Sequence, residues 1–135
     1  VKYKKYVPLV IKISPDMTHH EVLVLCNLIK LYSIDGIIAT NTTVDKKVLS
    51  NDDFLDNKGG VSGNPLLEKA NNMLEQVTKN LDNKTTIIGV GGIMTAEDAL
   101  EKFEAGASLV QLYTGFIYEG PGLIKAINKA LLKNN

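Results

Sequence analysis

Four short apolar runs along the chain are each followed by a polar turn and a longer amphipathic segment. The runs cover residues 9–13, 37–40, 86–90 and 109–113 and are nearly continuous in apolar and β-branched side chains. Continuous runs of this kind are typical of parallel strands buried on both faces. The alternation of strand and helix predicts an α/β fold with one parallel sheet, either doubly wound or part of a closed barrel.

The amphipathic segments carry the start signals of α-helices. Thr18 and Glu21 have the spacing of a capping box, and Thr95 and Asp98 repeat it before the third helix. Asn64 precedes a proline and is a suitable N-cap for the second helix. The predicted buried faces are Val22, Leu25, Cys26 and Ile29 in the first helix, Leu66, Ala70, Met73, Leu74, Val77 and Leu81 in the second, and Leu123, Ile124, Ile127 and Leu131 in the fourth, which is predicted over residues 122–132.

The size and composition of the chain are those of one globular domain. It has 135 residues, 44% of them hydrophobic, which is too short for two ordinary domains. Basic and acidic side chains balance at 15 each, so no basic field favours nucleic acid. Arginine is absent, so an anion site must use lysine, backbone amides or hydroxyls. The expected partner is a small molecule.

Lys12 is the most informative single side chain, because it interrupts an apolar strand between Ile11 and Ile13. A long cation is normally excluded from such a position unless its side chain reaches a polar ligand. The alternative is that Lys12 faces solvent on an edge strand. Asp16 follows in the next turn, where a turn or capping role is commoner than catalysis.

A cluster of hydroxyl and amide side chains, Thr40, Asn41, Thr42 and Thr43, follows the second strand. The carboxyl ends of parallel strands form the ligand-binding edge of barrels and open sheets. Amides and hydroxyls orient polar rings and carboxylates without titrating, so the cluster indicates substrate orientation rather than proton transfer. A simple side-chain turn that starts the next loop is the alternative. That polar loop, residues 45–58, is long enough to suggest a function.

Three glycine-bearing turns at or near the strand ends predict a phosphate site. Glycine lets backbone N–H groups approach an anion closely, and the loops after the last two strands are the usual phosphate site of barrels. Their spacing is not that of a nucleotide-triphosphatase loop. The alternative is that each pair marks only a tight turn. The turns are Ser62-Gly63, Gly91-Gly92 and Tyr113-Thr114-Gly115.

No metal site or hydrolytic triad is indicated by the sequence. His19 and His20 lie in the first turn of a predicted helix and have no cysteine or carboxylate at ligand spacing. Cys26 is the only cysteine and falls within an apolar helical stripe, which favours a buried structural thiol. We therefore expect no metal.

Five motifs, taken in order, resemble the dihydroorotate dehydrogenase family in its quinone-linked, membrane-associated class. They run through essentially the whole chain, and their order makes the resemblance specific. The resemblance implies the second half of an FMN-binding (β/α)8 TIM barrel, strands five to eight with their helices, so that residues 1–135 form a single partial domain. The motifs are VIKISPD (10–16), IDGIIATNTT (34–43), GGVSGNPL (59–66), IIGVGGI (87–93) and EAGASLVQLYTGFIYEGP (104–121).

The resemblance implies oxidation of dihydroorotate to orotate in pyrimidine biosynthesis, with FMN as cofactor and a quinone as electron acceptor. Lys12 would contact the flavin ring and Thr40 would also contact FMN, while Asn41 and Thr42 would hold the orotate ring. The FMN phosphate and ribityl region would be held, largely through backbone amides, by Gly63, Gly92, Tyr113 and Thr114.

The family's catalytic base is a serine on a loop in the first half of the barrel, and it has no counterpart among these residues. Ser62 belongs to a flavin-binding turn instead. The amphipathic N-terminal helices that dock this class on a membrane also have no counterpart here. We therefore expect a fragment that is inactive by itself and whose complete enzyme lies on the bacterial cytoplasmic membrane or the mitochondrial inner membrane.

Two other functions are compatible with the same pattern. One is a phosphate-binding barrel enzyme that uses the two C-terminal phosphate loops without a flavin. The other is a non-catalytic half-barrel that dimerises through its open sheet edges and binds phosphate compounds or no ligand. Flavin absorbance would distinguish the first from a dihydroorotate dehydrogenase, and the mass in solution would reveal the second.

Overall fold

Strands and helices alternate along the chain in the structure, a computed structural model that describes residues 5–50 and 58–134. Two short 3-10 turns cover Lys46–Val48 and Asn64–Leu66. Within the described residues, no helix combines the length and the apolar character needed to cross a membrane. The elements are β1 Val10–Ile13, α1 His19–Leu31, β2 Gly36–Ala39, α2 Leu67–Asn80, β3 Thr86–Val90, α3 Ala96–Glu104, β4 Leu109–Gln111, α4 Thr114–Glu119 and α5 Pro121–Asn134.

The strands form one parallel sheet and pair in chain order, β1-β2-β3-β4. Ile37 of β2 pairs with Ile11 on one side and with Ile87 on the other, which fixes the register. Helix α1 contacts α2, α2 contacts α3, and α3 contacts α5, so the helices form one continuous layer. A doubly wound sheet reverses its strand order at a switch point, whereas this sequential order is that of a β/α barrel. The topology thus selects part of a barrel.

The main hydrophobic core lies between the sheet and the first two long helices. Ile37 and Ile87 of the sheet pack there with Val22 and Cys26 of α1 and Leu74 of α2, all of them buried. Burial raises the pKa of the Cys26 thiol, as expected for a structural cysteine. A second buried cluster joins α3 to α5 and consists of Ile93, Ala99, Leu123 and Ile127.

Both predicted capping boxes are confirmed. The Glu21 N–H donates to Thr18 Oγ1 at 3.3 Å, and the Thr18 N–H donates to the Glu21 carboxylate at 2.7 Å. Asp98 and Thr95 form the same reciprocal pair, at 3.2 and 2.9 Å, at the start of α3. Each box satisfies two backbone donors that the helix itself leaves unpaired, so these helix starts are set by local sequence.

The predicted start of the second helix is wrong by two residues, because the N-cap is Leu66 rather than Asn64. Asn64 is the first residue of a 3-10 turn rather than an N-cap, and α2 begins at Leu67. The turn forms because the Leu66 N–H donates to the Gly63 carbonyl at 2.9 Å. The chain therefore completes one tight turn before the α-helix starts.

Other element boundaries also differ from the prediction. Strand β1 begins one residue later than predicted, β2 begins and ends one residue earlier, and β4 ends at Gln111 rather than at residue 113. Helix α4 was not predicted, and α5 extends beyond the predicted range at both ends. Tyr113 precedes α4 without any side-chain capping bond, so no local signal marks that helix start.

The prediction that every strand is buried on both faces is wrong for the two outer strands. Val10 of β1 and Leu109 of β4 are exposed, whereas β2 is buried except at Ile38. Among the described residues, β1 and β4 each have a strand neighbour on one side only. Ile124 of α5, expected on a buried face, is also exposed.

The long polar loop predicted over residues 45–58 is described only at its ends, because residues 51–57 lie outside the described ranges. Asp45 caps the 3-10 turn through an N–H bond from Lys47 at 3.1 Å. The Lys46 ammonium donates to the Gly59 carbonyl at 2.8 Å. The two described ends of the loop are therefore connected to each other.

Lys102 of α3 is a buried cation that the sequence pattern does not single out. Its side chain is 0% exposed and its ammonium donates to Asn71 Oδ1 of α2. Asn71 Nδ2 in turn donates to the Glu101 carboxylate at 3.0 Å. Burial lowers the pKa of Lys102 from 10.5 to about 8, although the nearby Glu101 and Asp98 carboxylates oppose that shift.

We expect the free energy of unfolding to rise as the pH increases from about 8 to 10.5, because there the unfolded chain binds the Lys102 proton and the folded chain does not. The slope from this group should reach ~1.4 kcal/mol per pH unit. Lys102→Met should remove that slope, and Lys129→Met, on the exposed surface of α5, should retain it. Urea unfolding of the wild type and the two variants across this pH range measures the free energy of unfolding. If that free energy changed with pH in the same way for wild type and Lys102→Met, the prediction would be contradicted.

Candidate functional site

One pocket lies at the carboxyl ends of the four strands and encloses about 220 Å³. This volume is below the ~300–1,000 Å³ of a complete small-molecule site, so the pocket fits one part of a larger ligand. Its lining combines backbone turns, hydroxyls, the two side-chain amides of Asn41 and Gln111, one cation and an apolar floor. Thr43, the fourth member of the predicted polar cluster after the second strand, does not line the pocket. The structure brings together in this lining every residue to which the family resemblance assigns a ligand contact: Lys12, Thr40, Asn41, Thr42, Gly63, Gly92, Tyr113 and Thr114.

The position of Lys12 agrees with the edge-strand interpretation, and it also leaves the side chain at the pocket. It is exposed on β1, which is an outer strand, and its side chain also lines the pocket. Its strand partner is Ile38, and the flanking residue Ile13 is buried in the core. The alternation along the strand therefore directs Lys12 away from the core and toward the pocket.

The residues after β2 form a hydrogen-bonded segment whose polar groups reach the pocket. Thr40 is 2% exposed, and its N–H donates to the Val90 carbonyl at 2.9 Å. The Asn41 N–H donates to the Ile13 carbonyl at 2.7 Å, and Asn41 Oδ1 accepts from the Thr42 N–H at 2.9 Å. These bonds hold Asn41 and Thr42 at the pocket edge. The side-chain turn considered as an alternative is formed one residue later by Thr43, whose hydroxyl accepts the Asp45 N–H at 3.1 Å.

Two glycines let neighbouring segments pack closely. Gly92 has φ 84°, and a Cβ there would lie 2.3 Å from the Cα of Leu67. Gly63 has φ 73°, and a Cβ there would lie 3.1 Å from the Thr114 methyl carbon. A side chain at either position would be strained by the positive φ. At Gly92 it would also overlap the main chain of Leu67 at the start of α2, whereas at Gly63 it would press on the Thr114 methyl group. The turns bring main chain, rather than side chains, to the pocket.

The loops after β3 and β4 and the turn before α2 also contact one another directly. Thr114 Oγ1 donates to Ser62 Oγ at 3.0 Å. A Cβ on Gly115 would lie 2.1 Å from the Ile93 carbonyl oxygen, so those two loops are in van der Waals contact. Tyr113 is 76% exposed at the rim of the pocket. The three glycine turns therefore converge on one place, as predicted.

An ionic cluster beside the pocket has no counterpart among the sequence-based predictions. Lys69 of α2 lies between the carboxylates of Asp16 and Asp45, with Nζ–O distances of 2.7 and 3.0 Å. Its ammonium also donates to Thr43 Oγ1 at 3.2 Å. These four residues are called the loop-anchoring network. Nothing local marks Lys69 among 15 lysines, because its partners lie 24 to 53 positions away along the chain.

The charges of this network stabilise one another. Burial alone would raise the pKa of Asp16, but hydrogen bonds from Lys69, Thr43 and the Val44 N–H lower it overall. Burial likewise acts to lower the pKa of Lys69, and its bonds to Asp16 and Asp45 raise it overall. Asp16 is thus neither a helix cap nor a free carboxylate, because its oxygens are used to hold the neighbouring loop.

The histidines lie away from the pocket. His19 Nδ1 is 3.1 Å from Gln76 Oε1, and His20 is exposed on the same helix. Across residues 5–50 and 58–134, no three His, Cys, Asp or Glu side chains stand close enough to share a metal ion.

The sequence of this chain is similar to the sequences of one family of known proteins. The family model described as dihydroorotate dehydrogenase matches residues 1–134. The curated dihydroorotate dehydrogenase (quinone) of Proteus mirabilis is 48% identical over 126 residues, which are 93% of this chain and 38% of that protein. The Aeromonas salmonicida protein of the same name is 51% identical over 127 residues, again 93% of this chain and 38% of its own length. The chain therefore spans about 38% of the length of these relatives.

Solved structures agree with the sequence comparison. The ligand-free dihydroorotate dehydrogenase of Eimeria tenella superposes with a TM-score of 0.86 at 34% identity, over 93% of this chain and 34% of that one. Its complex with ferulenol gives a TM-score of 0.84 at 32% identity, over 96% and 34% of the two chains. The four strand-helix units are thus part of a TIM barrel of this type.

We expect Gly92→Ala to lower the free energy of unfolding by ~2–5 kcal/mol, the sum of left-handed strain and the clash with Leu67. Gly120 provides a matched control, because it has φ 64° and no heavy atom within 4 Å of the position that a Cβ would occupy. Gly120→Ala should therefore cost only the ~1–2 kcal/mol of backbone strain. Urea unfolding measures both, and equal losses would show that Gly92 does not pack closely against Leu67.

Proposed function

Because the chain belongs to the dihydroorotate dehydrogenase family, we propose that it supplies the FMN-holding half of an enzyme that oxidises dihydroorotate to orotate in pyrimidine biosynthesis, with a quinone as electron acceptor. The observation that carries the proposal is the gathering of all eight expected ligand-binding residues around one pocket at the carboxyl ends of the strands. This edge is where β/α barrels bind their ligands.

The pocket lining fits a phosphate-bearing cofactor. Gly63 and Gly92 line the pocket and carry no side chain, so a phosphate can approach the main chain of these turns. Thr114 adds a hydroxyl on the same side, already oriented by its bond to Ser62. We propose that Gly63, Gly92, Tyr113 and Thr114 hold the phosphate and ribityl part of FMN. When bound, FMN supplies the two-electron chemistry that protein side chains lack.

Lys12 and Thr40 are proposed to contact the flavin ring system. Among the described residues, Lys12 is the one cation that lines the pocket, and its exposed side chain can adjust to a ligand. A cation placed there would stabilise negative charge on a bound ring. Thr40 is held rigidly, because its N–H and hydroxyl both have backbone partners at 2.9 Å.

Asn41 and Thr42 are proposed to hold the dihydroorotate or orotate ring. They stand at the exposed edge of the pocket, held by the hydrogen bonds of the segment after β2. Neutral amide and hydroxyl groups suit a ring that presents both carbonyl and N–H groups, since they can donate as well as accept. Their role is therefore to orient the substrate rather than to move protons.

We propose that the catalytic base lies outside these 135 residues. Ser62 accepts a hydrogen bond from Thr114 and belongs to the cofactor side of the pocket, which supports a structural role for it. Quinones are lipid-soluble, so we place the complete enzyme on a membrane surface, either the bacterial cytoplasmic membrane or the mitochondrial inner membrane. The residues that would contact the quinone and the membrane are also proposed to lie elsewhere.

We expect the 135-residue chain to bind FMN saturably in a titration followed by flavin fluorescence. Lys12→Ala should weaken this binding by ~10-fold, the loss of roughly one charge-assisted contact. Lys129→Ala removes the same charge from α5, away from the pocket lining, and should leave the affinity unchanged.

Two outcomes of the titration would contradict parts of the proposal. Equal FMN affinity for wild type and Lys12→Ala would exclude a flavin contact for Lys12. The absence of any saturable binding by the folded wild-type chain would mean that these residues alone do not form the cofactor site.

We also expect no turnover when the chain alone is mixed with FMN, dihydroorotate and a quinone. The physical reason is that no group of this chain is proposed to take the substrate proton. Orotate formation measured by absorbance, with heat-denatured chain as the control, would detect activity. Turnover above that control would show that the base lies within these residues after all.

A further inference from the structure

The loop-anchoring network of Asp16, Thr43, Asp45 and Lys69 stands next to the pocket without lining it. It connects three separate parts of the chain: the loop after β1, the loop after β2 and helix α2. Lys69 is the centre, because its ammonium contacts both carboxylates and the Thr43 hydroxyl. The network is only partly exposed, with the Lys69 side chain at 26% and that of Asp16 at 23%.

Thr43 connects the network to the main chain of the pocket loops. Its hydroxyl donates to the Asp16 carboxylate and accepts the Asp45 N–H at 3.1 Å. Its backbone forms an isolated antiparallel bridge with Val61, in which the Val61 N–H donates to the Thr43 carbonyl at 2.7 Å and the Thr43 N–H donates back at 3.2 Å. Thr43 is 0% exposed, so its hydroxyl depends on these protein partners.

The bridge joins two segments that both reach the pocket. Thr43 follows Asn41 and Thr42 directly, and Val61 precedes Ser62 and Gly63 directly. The segments are in close contact one residue further on, because a Cβ on Gly60 would lie 2.1 Å from Thr42 Oγ1. A shift of either segment would therefore move Thr42 relative to Gly63.

Removing the ammonium would leave the two carboxylates of the network facing each other without a cation. Asp16 also accepts the Val44 N–H at 2.8 Å, so its displacement would release the chain directly after Thr43. Among the described residues, Lys69 is the only lysine within salt-bridge distance of Asp16 or Asp45. The loss would therefore be local to the loops after β1 and β2.

We propose that Lys69 is a positioning residue, which holds Asn41 and Thr42 in register with Ser62-Gly63 through Asp16, Thr43 and Asp45. The ligand identities in this inference rest on the proposed function, whereas the loop geometry does not. The network reaches the loops that carry the proposed orotate contacts, but within the described residues it forms no ion pair or side-chain hydrogen bond with the turns after β3 and β4. Loss of Lys69 should thus weaken orotate binding more than FMN binding.

The test compares Lys69→Met with Lys69→Arg, which restores the cation, and with Lys79→Met as a matched control. Lys79 lies on the same helix and forms only an exposed pair with Glu75 at 3.2 Å. The first readout is amide hydrogen exchange at Thr43 and Val61, relative to the β3 amides of residues 87–90. The second is the affinity of each chain for FMN and, in the presence of FMN, for orotate.

In Lys69→Met we expect exchange at Thr43 and Val61 to accelerate ~10-fold or more while the β3 amides are unchanged. Orotate affinity should fall ~10-fold and FMN affinity by less than ~2-fold. Lys69→Arg should restore most of the slow exchange and most of the orotate affinity. Lys79→Met should match wild type in both. A general loss of stability would accelerate exchange at the β3 amides as well. Acceleration confined to Thr43 and Val61 therefore identifies a local effect.

The outcomes separate this inference from the proposed function. Unchanged exchange at Thr43 and Val61, or equal acceleration in β3, overturns the positioning role whether or not any ligand binds. Local acceleration with unchanged orotate affinity overturns it as well. If the wild-type chain binds neither FMN nor orotate, the proposed function fails for this chain, and the exchange data alone then decide the role of Lys69.

Discussion

Parallel pairing of consecutive strands brings the carboxyl ends of β1, β2, β3 and β4 to one edge of the sheet. Each return crossing is made by a helix in a layer that covers one face, so the loops at that edge remain together and accessible. Every polar group of the pocket comes from this edge, although the residues lie up to 102 positions apart, from Lys12 to Thr114. The pocket therefore exists because the parallel register of the strands aligns their carboxyl ends at one edge of the sheet.

Within that edge, glycines let neighbouring segments pack closely. Gly92 lies against the main chain of Leu67 at a distance that leaves no space for a Cβ, and Gly63 lies close to the Thr114 methyl group. The loops can then be held by few side-chain bonds, such as the one from Thr114 to Ser62 at 3.0 Å. A pocket built in this way presents mainly amides and hydroxyls, and among the described residues Lys12 is the cation that lines it.

Two lysines of the helix layer show how context decides the behaviour of one side-chain type. Lys102 is fully buried with a neutral amide oxygen as its partner, so desolvation dominates and its pKa falls to about 8. Lys69 is partly exposed and touches two carboxylates, which raise its pKa despite desolvation. Burial of the Lys102 cation therefore lowers the free energy of unfolding, whereas the Lys69 cation connects loops that flank the pocket.

The sequence by itself determined the alternation of strands and helices and the two capping boxes, because periodicity and caps are local properties. It also identified the eight residues that were expected to bind ligands and that line the pocket, because the glycine turns are local and the motifs are specific to the family. It did not reveal α4, whose start has no capping side chain, or the exposure of β1 and β4, which depends on strand neighbours. The sequence also did not single out Lys69 and Lys102, because their partners are distant along the chain. Only the tertiary structure could decide these features, because they arise from contacts between segments that the chain order does not specify.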